Sequence, residues 1–306
     1  MLAARIGEIA ALGTACCWTI TALSFESAGK RIGSLTVNLT RLAIAGVLFA
    51  LYGWIVRGVV IPVDVAPSAW GWLILSGLVG FVVGDLLLFQ AFVEIGARFS
   101  MLVFSTVPPL TALMARFALG ERLGATHFGG MALTVFGIVL VALRRPSGKA
   151  DNGPPTAVPK TSARIKGVLL AFGGALGQAG GLVLGRIGAG VTLNPVAATQ
   201  IRALAGLAGF AIIFTIARRW RLVGRAFRNR PAMSRVATGA LFGPFLGVSL
   251  GLFAAQHTSA GIAATIMSLV PVLIIVPSVV VFKEKVTVRE VTGAFIAVAG
   301  VALLFL

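Results

Sequence analysis

Ser105-Thr106-Val107-Pro108, with Glu121 thirteen residues past its proline, is answered by Ser268-Leu269-Val270-Pro271, with Glu284 thirteen residues past its own. The shift that carries Pro108 onto Pro271 also carries Gly80 onto Gly243, Gly84 onto Gly247, Leu87 onto Leu250, Ala91 onto Ala254, Gly130 onto Gly293, Gly137 onto Gly300 and Leu140 onto Leu303. A register held over so long a stretch makes the chain a tandem duplication, in which each copy is half of one device.

With 58% hydrophobic and 11% charged residues and a mean hydropathy of +1.00, the chain lies far from soluble domains, which are about 25% charged. It reads as an integral membrane protein. Apolar runs of about 20 residues, enough to cross a hydrocarbon core roughly 30 Å thick, cover 5–25, 34–56, 69–92, 98–118 and 126–143, and recur at 166–185, 194–217, 235–256, 260–282 and 288–306. Continuous runs without period-two alternation exclude a membrane β-barrel. The expectation is an all-α polytopic membrane protein of ten transmembrane helices, five per copy, with repeats at 1–143 and 165–306 joined by a linker at 144–164. The first run is too long for a signal peptide and no small-residue cleavage site follows it, so it counts as the first helix. The linker carries Pro146, Pro154, Pro155 and Pro159, lacks helical periodicity and is assigned no chemistry. Cys16 and Cys17 are adjacent on one helix, point about 100° apart and read as packing residues.

A formal net charge of +17 would suggest nucleic acid in a soluble protein, but its distribution points to a lipid bilayer and to no nucleic acid. Counted in order, the odd connections hold Lys30, Arg31, Arg98, the basic residues of 144–166, the seven arginines of 218–235, and Lys283, Lys285 and Arg289. The even connections and the two ends hold only Arg5, Arg57, Arg116, Arg122 and Arg186. Lys and Arg concentrate on the cytoplasmic side, which puts the odd connections in the cytoplasm and both termini outside. The stretch 218–235 also suits acidic lipid headgroups, with plain positive-inside anchoring as the simpler account. Because five is odd, the second copy starts on the opposite side from the first. Such inverted repeats recur in secondary transporters, where substrate sits near the midplane between the halves. Two halves that exchange conformations open first to one side and then to the other, which is alternating access.

Asp85 is the acid set deepest in an apolar run, at a cost of about 2.5–3.5 kcal/mol on insertion scales, and residues of that kind mark pathways or relays. It reads as a carboxylate that couples transport to protons, as a counter-charge for a substrate ammonium, or as an interhelical partner for Arg41 or Arg202. Its equivalent in the second copy is Val248. Arg41 and Arg202, about two turns inside their helices, suit a substrate carboxylate, snorkelling to the interface or an ion pair. Trp18, Thr19, Gln90, Gln178, Gln200 and Gln256-His257 are the other polar or aromatic candidates to line a path. Glycines recur every fourth residue at 239, 243, 247 and 251, and at 173, 177, 181 and 185, with Ser76, Gly80 and Gly84 as a partial third set. Small residues so spaced let another helix approach closely, either as static packing or as a seam for rocking, with Gly243 and Gly247 at its centre. Pro108 and Pro271 interrupt their helices and free carbonyls, marking gate or hinge positions, and Glu121 and Glu284 read as caps or gate ion pairs. Two histidines and two cysteines at these positions make no metal site, and no glycine-rich loop ends in Lys-Ser/Thr. No catalytic residue, metal or cofactor is expected.

Pro108, Gly120-Glu121, Gly130 and Gly137 in one copy, Pro271, Lys283-Glu284, Gly293 and Gly300 in the other, and the arginines of Asn38-Leu39-Thr40-Arg41 and Thr199-Gln200-Ile201-Arg202 give a chain that resembles the drug/metabolite transporter superfamily, and within it the EamA-type ten-helix exporters. The resemblance implies a secondary transporter of the bacterial inner membrane that exports a small-molecule substrate, an amino acid or related metabolite, and is not an enzyme. A nucleotide-sugar or phosphate-ester exchanger of the same superfamily is the alternative, and it needs cavity-facing cations of which only Arg41 and Arg202 qualify. A membrane-embedded enzyme would have to rely on Asp85 and His257. The chain departs from the family in two places: Arg57 leads into Gly58-Val59-Val60-Ile61-Pro62-Val63-Asp64 instead of a basic connection, and Lys283 stands where the first copy has Gly120. The first departure underlies an orientation opposite to the one usual for the group. A reporter active only in the cytoplasm, fused to either terminus, is expected to stay silent; a signal from either end reverses the assignment.

Overall fold

A computed structural model describes residues 6–120, 124–142, 161–189, 193–257, 266–280, 283 and 286–303. Among them there is no strand, as expected where backbone groups must be satisfied inside each segment. The helices are α1 (Ile6–Ile32), α2 (Ser34–Arg57), α3 (Pro67–Ile95), α4 (Ala97–Ala118), α5 (Ala125–Ala142), α6 (Thr161–Ala189), α7 (Pro195–Ile216), α8 (230–257), α9 (Val270–Val280) and α10 (Val288–Leu303). Among the described residues six stretches are long and apolar enough to cross a membrane: Ile6–Ile32, Ser34–Arg57, Pro67–Ile95, Ala97–Ala118, Arg164–Ala189 and Val196–Ile216, with Ala125–Val141 and Val270–Val280 as shorter apolar helices. A short helix, Trp220–Arg228, lies within the basic stretch that the sequence presents only as a connection. Trp220 anchors it, its ring tilted against that of Phe214 at 5.7 Å and its Nε1 donating to Thr215 Oγ1 at 3.1 Å.

Local chemistry sets the ends of the helices. Asn194 caps α7 by accepting from the backbone of Val196 and Ala197, with Pro195 in the first turn, where its missing N–H costs nothing. Thr287 and Glu290 form the start of α10, the Glu290 carboxylate accepting from Thr287 N at 2.9 Å, which is the return half of a capping box. The joint between α3 and α4 is a single residue, Gly96, at φ +82°, and there Glu26 of α1 accepts from Ala97 N at 2.8 Å. Glu26, 3% exposed, thus satisfies a helix N-terminus on another helix while pairing with Lys30. α4 ends at Gly120 with φ +72°, and Lys283, the equivalent residue of the second copy, is also left-handed at φ +53°. A lysine there carries the Cβ clash that glycine avoids, of order 1 kcal/mol.

The prolines break their helices at equivalent points. α4 turns at Ser105-Thr106 just ahead of Pro108, and the Ser105 and Thr106 hydroxyls fold back onto the carbonyls of Leu102 and Val103. The chain turns again at Ser268-Leu269 just ahead of Pro271. α9 is interrupted once more at Ile274, three residues before Pro277, which cannot donate to the preceding turn. Glu121 and Glu284 lie outside the described residues. Two π-helical turns also fall in the same register, Leu78–Gly84 in α3 and Leu241–Gly247 in α8. Pro244 accounts for the second by removing a donor, whereas Phe81 holds that place in the first.

Three antiparallel helix pairs join the copies, and in each the glycines let the partner helix come close. Along α3 and α6, a Cβ on Gly181 would lie 2.8 Å from Gly80 Cα and one on Gly177 would lie 2.6 Å from Gly84 Cα. Along α8 and α1 the glycine groove is filled by side chains: Phe25 faces Gly239, Thr21 faces Gly243, Trp18 faces Gly247 and Thr14 faces Gly251. α5 and α10, equivalent helices of the two copies, meet through equivalent residues. A Cβ on Gly137 would lie 2.6 Å from Gly293 O, and one on Gly300 would lie 2.7 Å from Gly130 O. Between them Thr134 Oγ1 approaches Ala297 O at 3.4 Å, and these two residues are 163 apart, the repeat interval itself. This is the self-complementary pattern of a two-fold contact.

Polar contacts gather the odd connections at one end of the bundle. There Glu94 binds Lys166 at 2.8 Å, Arg98 approaches Glu290 at 3.8 Å, and Arg164 donates to Val141 O at 3.4 Å. At the other end Gln200 donates to Val60 O at 2.7 Å. Substitution with leucine at Gly137 or Gly181 is expected to destabilise the protein by about 2 kcal/mol or more, because neither backbone can retreat. Alanine at Gly46 or Gly71, where a Cβ meets nothing within 4 Å, should be neutral; melting in detergent measures both.

Candidate functional site

α2 brings Asn38 and Arg41 to one face, three residues apart, against the point where the π-turn of α3 gives way to helix at Asp85. Asn38 is fully buried. Its Nδ2 donates to Ser34 O and to Asp85 O, both at 3.2 Å, while its Oδ1 accepts from Arg41 Nε at 3.1 Å. Arg41 Nη2 completes the set by pairing with Asp85 Oδ2. Arg41 is 5% and Asp85 8% exposed, so this is a buried ion pair. Three rings enclose it: the guanidinium carbon of Arg41 stands 4.6 Å from the centre of Phe89, 5.7 Å from Phe25 and 5.9 Å from Phe81. Removing one member of such a pair costs about 3–5 kcal/mol, since the other charge is left uncompensated.

Phe81 has a second arginine on it. Arg202 of α7 lies 4.9 Å from the same ring, and its Nε and Nη2 are buried with no hydrogen-bond partner among the described residues. Gln178 Oε1 of α6 is buried in the same condition. Both groups flank Gly80: a Cβ there would lie 3.5 Å from Arg202 Nη2 and 3.6 Å from Gln178 Oε1. Arg41 and Arg202 each occupy the eighth position of their helix. The site therefore holds two arginines at matching places and one acid, which serves Arg41.

Of the residues singled out from the sequence, Asp85, Arg41, Arg202 and Gln178 come together here. Trp18 lies apart, in the groove of α8, where a Cβ on Gly247 would be 2.9 Å from its indole, and Gly243 receives Thr21 in the same groove. Thr19 turns its hydroxyl back to Ala15 O at 2.9 Å within its own helix. Gln90 sits near the end of α3, accepting from Ser34 Oγ at 2.7 Å and donating to Glu94 at 2.9 Å. Gln200, 3% exposed, is held by the connection after α2. Pro108 and Pro271 mark the helix breaks, and Pro271 borders a narrow cleft with Arg98, Glu290 and Val141. His257 is exposed at the end of α8, stacked 4.0 Å from Phe253.

Asn38 and Phe81 are the members that sequence reasoning passed over, and Glu26, which braces the joint between α3 and α4, was passed over as well. Asn38 had a signal, a polar side chain one helical turn before Arg41. Glu26 had one too, four residues before Lys30, but it falls just past the first apolar run. Phe81 had none, because one phenylalanine among many gains meaning only from the cations on its faces.

Among curated proteins none matches the chain. A solved crystal structure with 20% sequence identity aligns over 97% of this chain and 95% of its own, with a TM-score of 0.60, which is a likeness of fold. The model of the EamA-like transporter family matches residues 5–143 and again residues 165–306. With that unit present twice and filling nearly its whole length, the chain belongs to the EamA-like transporter family and is a multi-pass membrane transporter.

Proposed function

We propose that the chain is a secondary transporter that exports small metabolites, amino acids or related compounds, by alternating access. It does so as ten crossings in two inverted five-helix repeats, 1–143 and 165–306, joined by the linker 144–164. One observation carries this reading: α5 and α10, which are equivalent helices, run antiparallel and meet through equivalent residues about Thr134 and Ala297. A two-fold of that kind lies across the helices, and it lets either half adopt the other's conformation. The paired helix breaks at Pro108 and Pro271 and the paired π-turns supply points at which each half can bend. The gathering of basic connections at one end suits a bacterial inner membrane with that end in the cytoplasm and both termini outside.

Asp85 is the residue through which protons would act, since protonation releases Arg41 and loosens α2 from α3. The exchanger alternative is less well supported, because Asp85 neutralises Arg41 and leaves Arg202 as the single uncompensated cation at the site. An enzyme built on Asp85 and His257 lacks proximity: His257 is at an exposed helix end with its Nδ1 2.9 Å from Phe253 O, far from the enclosed ion pair.

Flux through purified protein in liposomes, measured over a metabolite panel with and without a pH gradient, tests the reading, and hydrolysis of a compound without flux would replace it. Asp85→Ala is expected to lose about 3–5 kcal/mol of stability, and Arg41→Met/Asp85→Leu to recover most of it, as measured by melting. In liposomes the double variant should stay folded yet lose the response to a pH gradient; a full response would remove Asp85 from coupling.

A further inference from the structure

We propose that Arg202 and Gln178, facing each other across Gly80, form a binding subsite for a single carboxylate whose neighbouring carbon bears a hydrogen-bond donor, as in 2-amino and 2-hydroxy acids, and that Asp85 restricts the ligand to one negative charge. This rests on the transport reading for its role, since the subsite is assigned to the transported compound.

Nε and Nη2 of Arg202 are the two donors on one edge of the guanidinium, the edge that grips a carboxylate bidentately. Both are buried and unpartnered among the described residues. An arginine buried without counter-charge or acceptor is among the most costly arrangements a fold can hold, and native interiors seldom leave such groups unmatched. The one acid at hand is committed to Arg41, and Phe81 offers Arg202 only a ring face. Gln178 Oε1 is acceptor-only and equally unmatched, so the ligand must bring a donor close to its carboxylate. Having no side chain, Gly80 leaves uncovered the point beside both groups, which lies 3.5 Å from Arg202 Nη2 and from Gly181 Cα and 3.6 Å from Gln178 Oε1. With Arg41, Arg202 and Asp85 charged, the cluster carries one net positive charge. A monoanion such as lactate cancels it, and zwitterionic alanine adds no net charge, whereas a dianion brings a second carboxylate that no free cation meets into a low-dielectric interior.

Binding of radiolabelled alanine and lactate to the full chain in detergent tests the site. Both should bind and displace one another. Propionate, which lacks the donor, should bind about tenfold more weakly, and alaninamide and malate should not compete. Arg202→Gln should abolish binding. Gly80→Ala adds a methyl at ordinary contact distance, so it should keep the melting temperature of the unaltered chain while weakening binding about tenfold or more. Asp85→Asn, which frees Arg41, should admit malate. The proposal is overturned if neither alanine nor lactate binds, if malate competes with the unaltered chain as well as alanine does, or if Gly80→Ala and Arg202→Gln keep full affinity. Probe binding without flux would remove the transport reading and leave the subsite, and flux without probe binding would do the reverse.

Discussion

Helices in a bilayer gain little by hiding apolar surface from one another, because lipid tails are as apolar as leucine. Their association depends on backbones coming close enough for dense van der Waals contact, and in this protein glycines supply that closeness where the two copies meet. A Cβ on Gly177 or Gly181 would collide with the backbone at Gly84 or Gly80, and one on Gly137 or Gly300 with the backbone of the opposite copy. The aromatic clusters, such as Phe25, Phe89 and Phe92, fill the space these contacts define. Everything placed at the interface between copies, the charge cluster included, inherits its position from them.

The two grooves are equivalent in descent but differ in filling. α8 accepts Thr14, Trp18, Thr21 and Phe25 of α1, whereas α3 meets α6 glycine to glycine. The tighter seam is also where the ionisable groups lie: Asp85 follows the π-turn of α3, and Arg202 and Gln178 approach from α7 and α6. The looser seam ends opposite Val248 with no charge. The tighter seam, to which both halves contribute, thus holds the charged groups, and the looser one holds larger side chains, although both use the same backbone.

Much of this arrangement was legible before any coordinates. The doubled proline and glycine register fixes which helices are equivalent, and an odd number of crossings per copy implies that equivalent helices oppose each other, as α5 and α10 do. Asp85 and Arg41 stand out by the cost of burying charge. Their pairing was one of several open alternatives, because position along a helix does not tell which faces meet across 44 residues of chain. Phe81 between two arginines was invisible for the same reason. The helix Trp220–Arg228 was missed because its arginines satisfy a charge rule so well that the amphipathic spacing drew no notice. Gln90 and Gln200 were drawn to the site by polarity alone, yet each is taken up by a local partner at an end of the bundle.

Thr134 and Ala297 are the same residue of the repeat, and they touch. A position that meets its own counterpart carries the record of a time when the counterpart belonged to another molecule. A five-helix ancestor of this chain would have formed the contact with a second copy of itself inserted upside down, and so would have had to enter the membrane in both orientations with little preference. Joining the two halves removes that requirement. In a joined chain a lone acid can stand in one half without an unpaired twin in the other. An acid such as Asp85, with Val248 at its equivalent position, belongs to one half alone, which only joined halves allow.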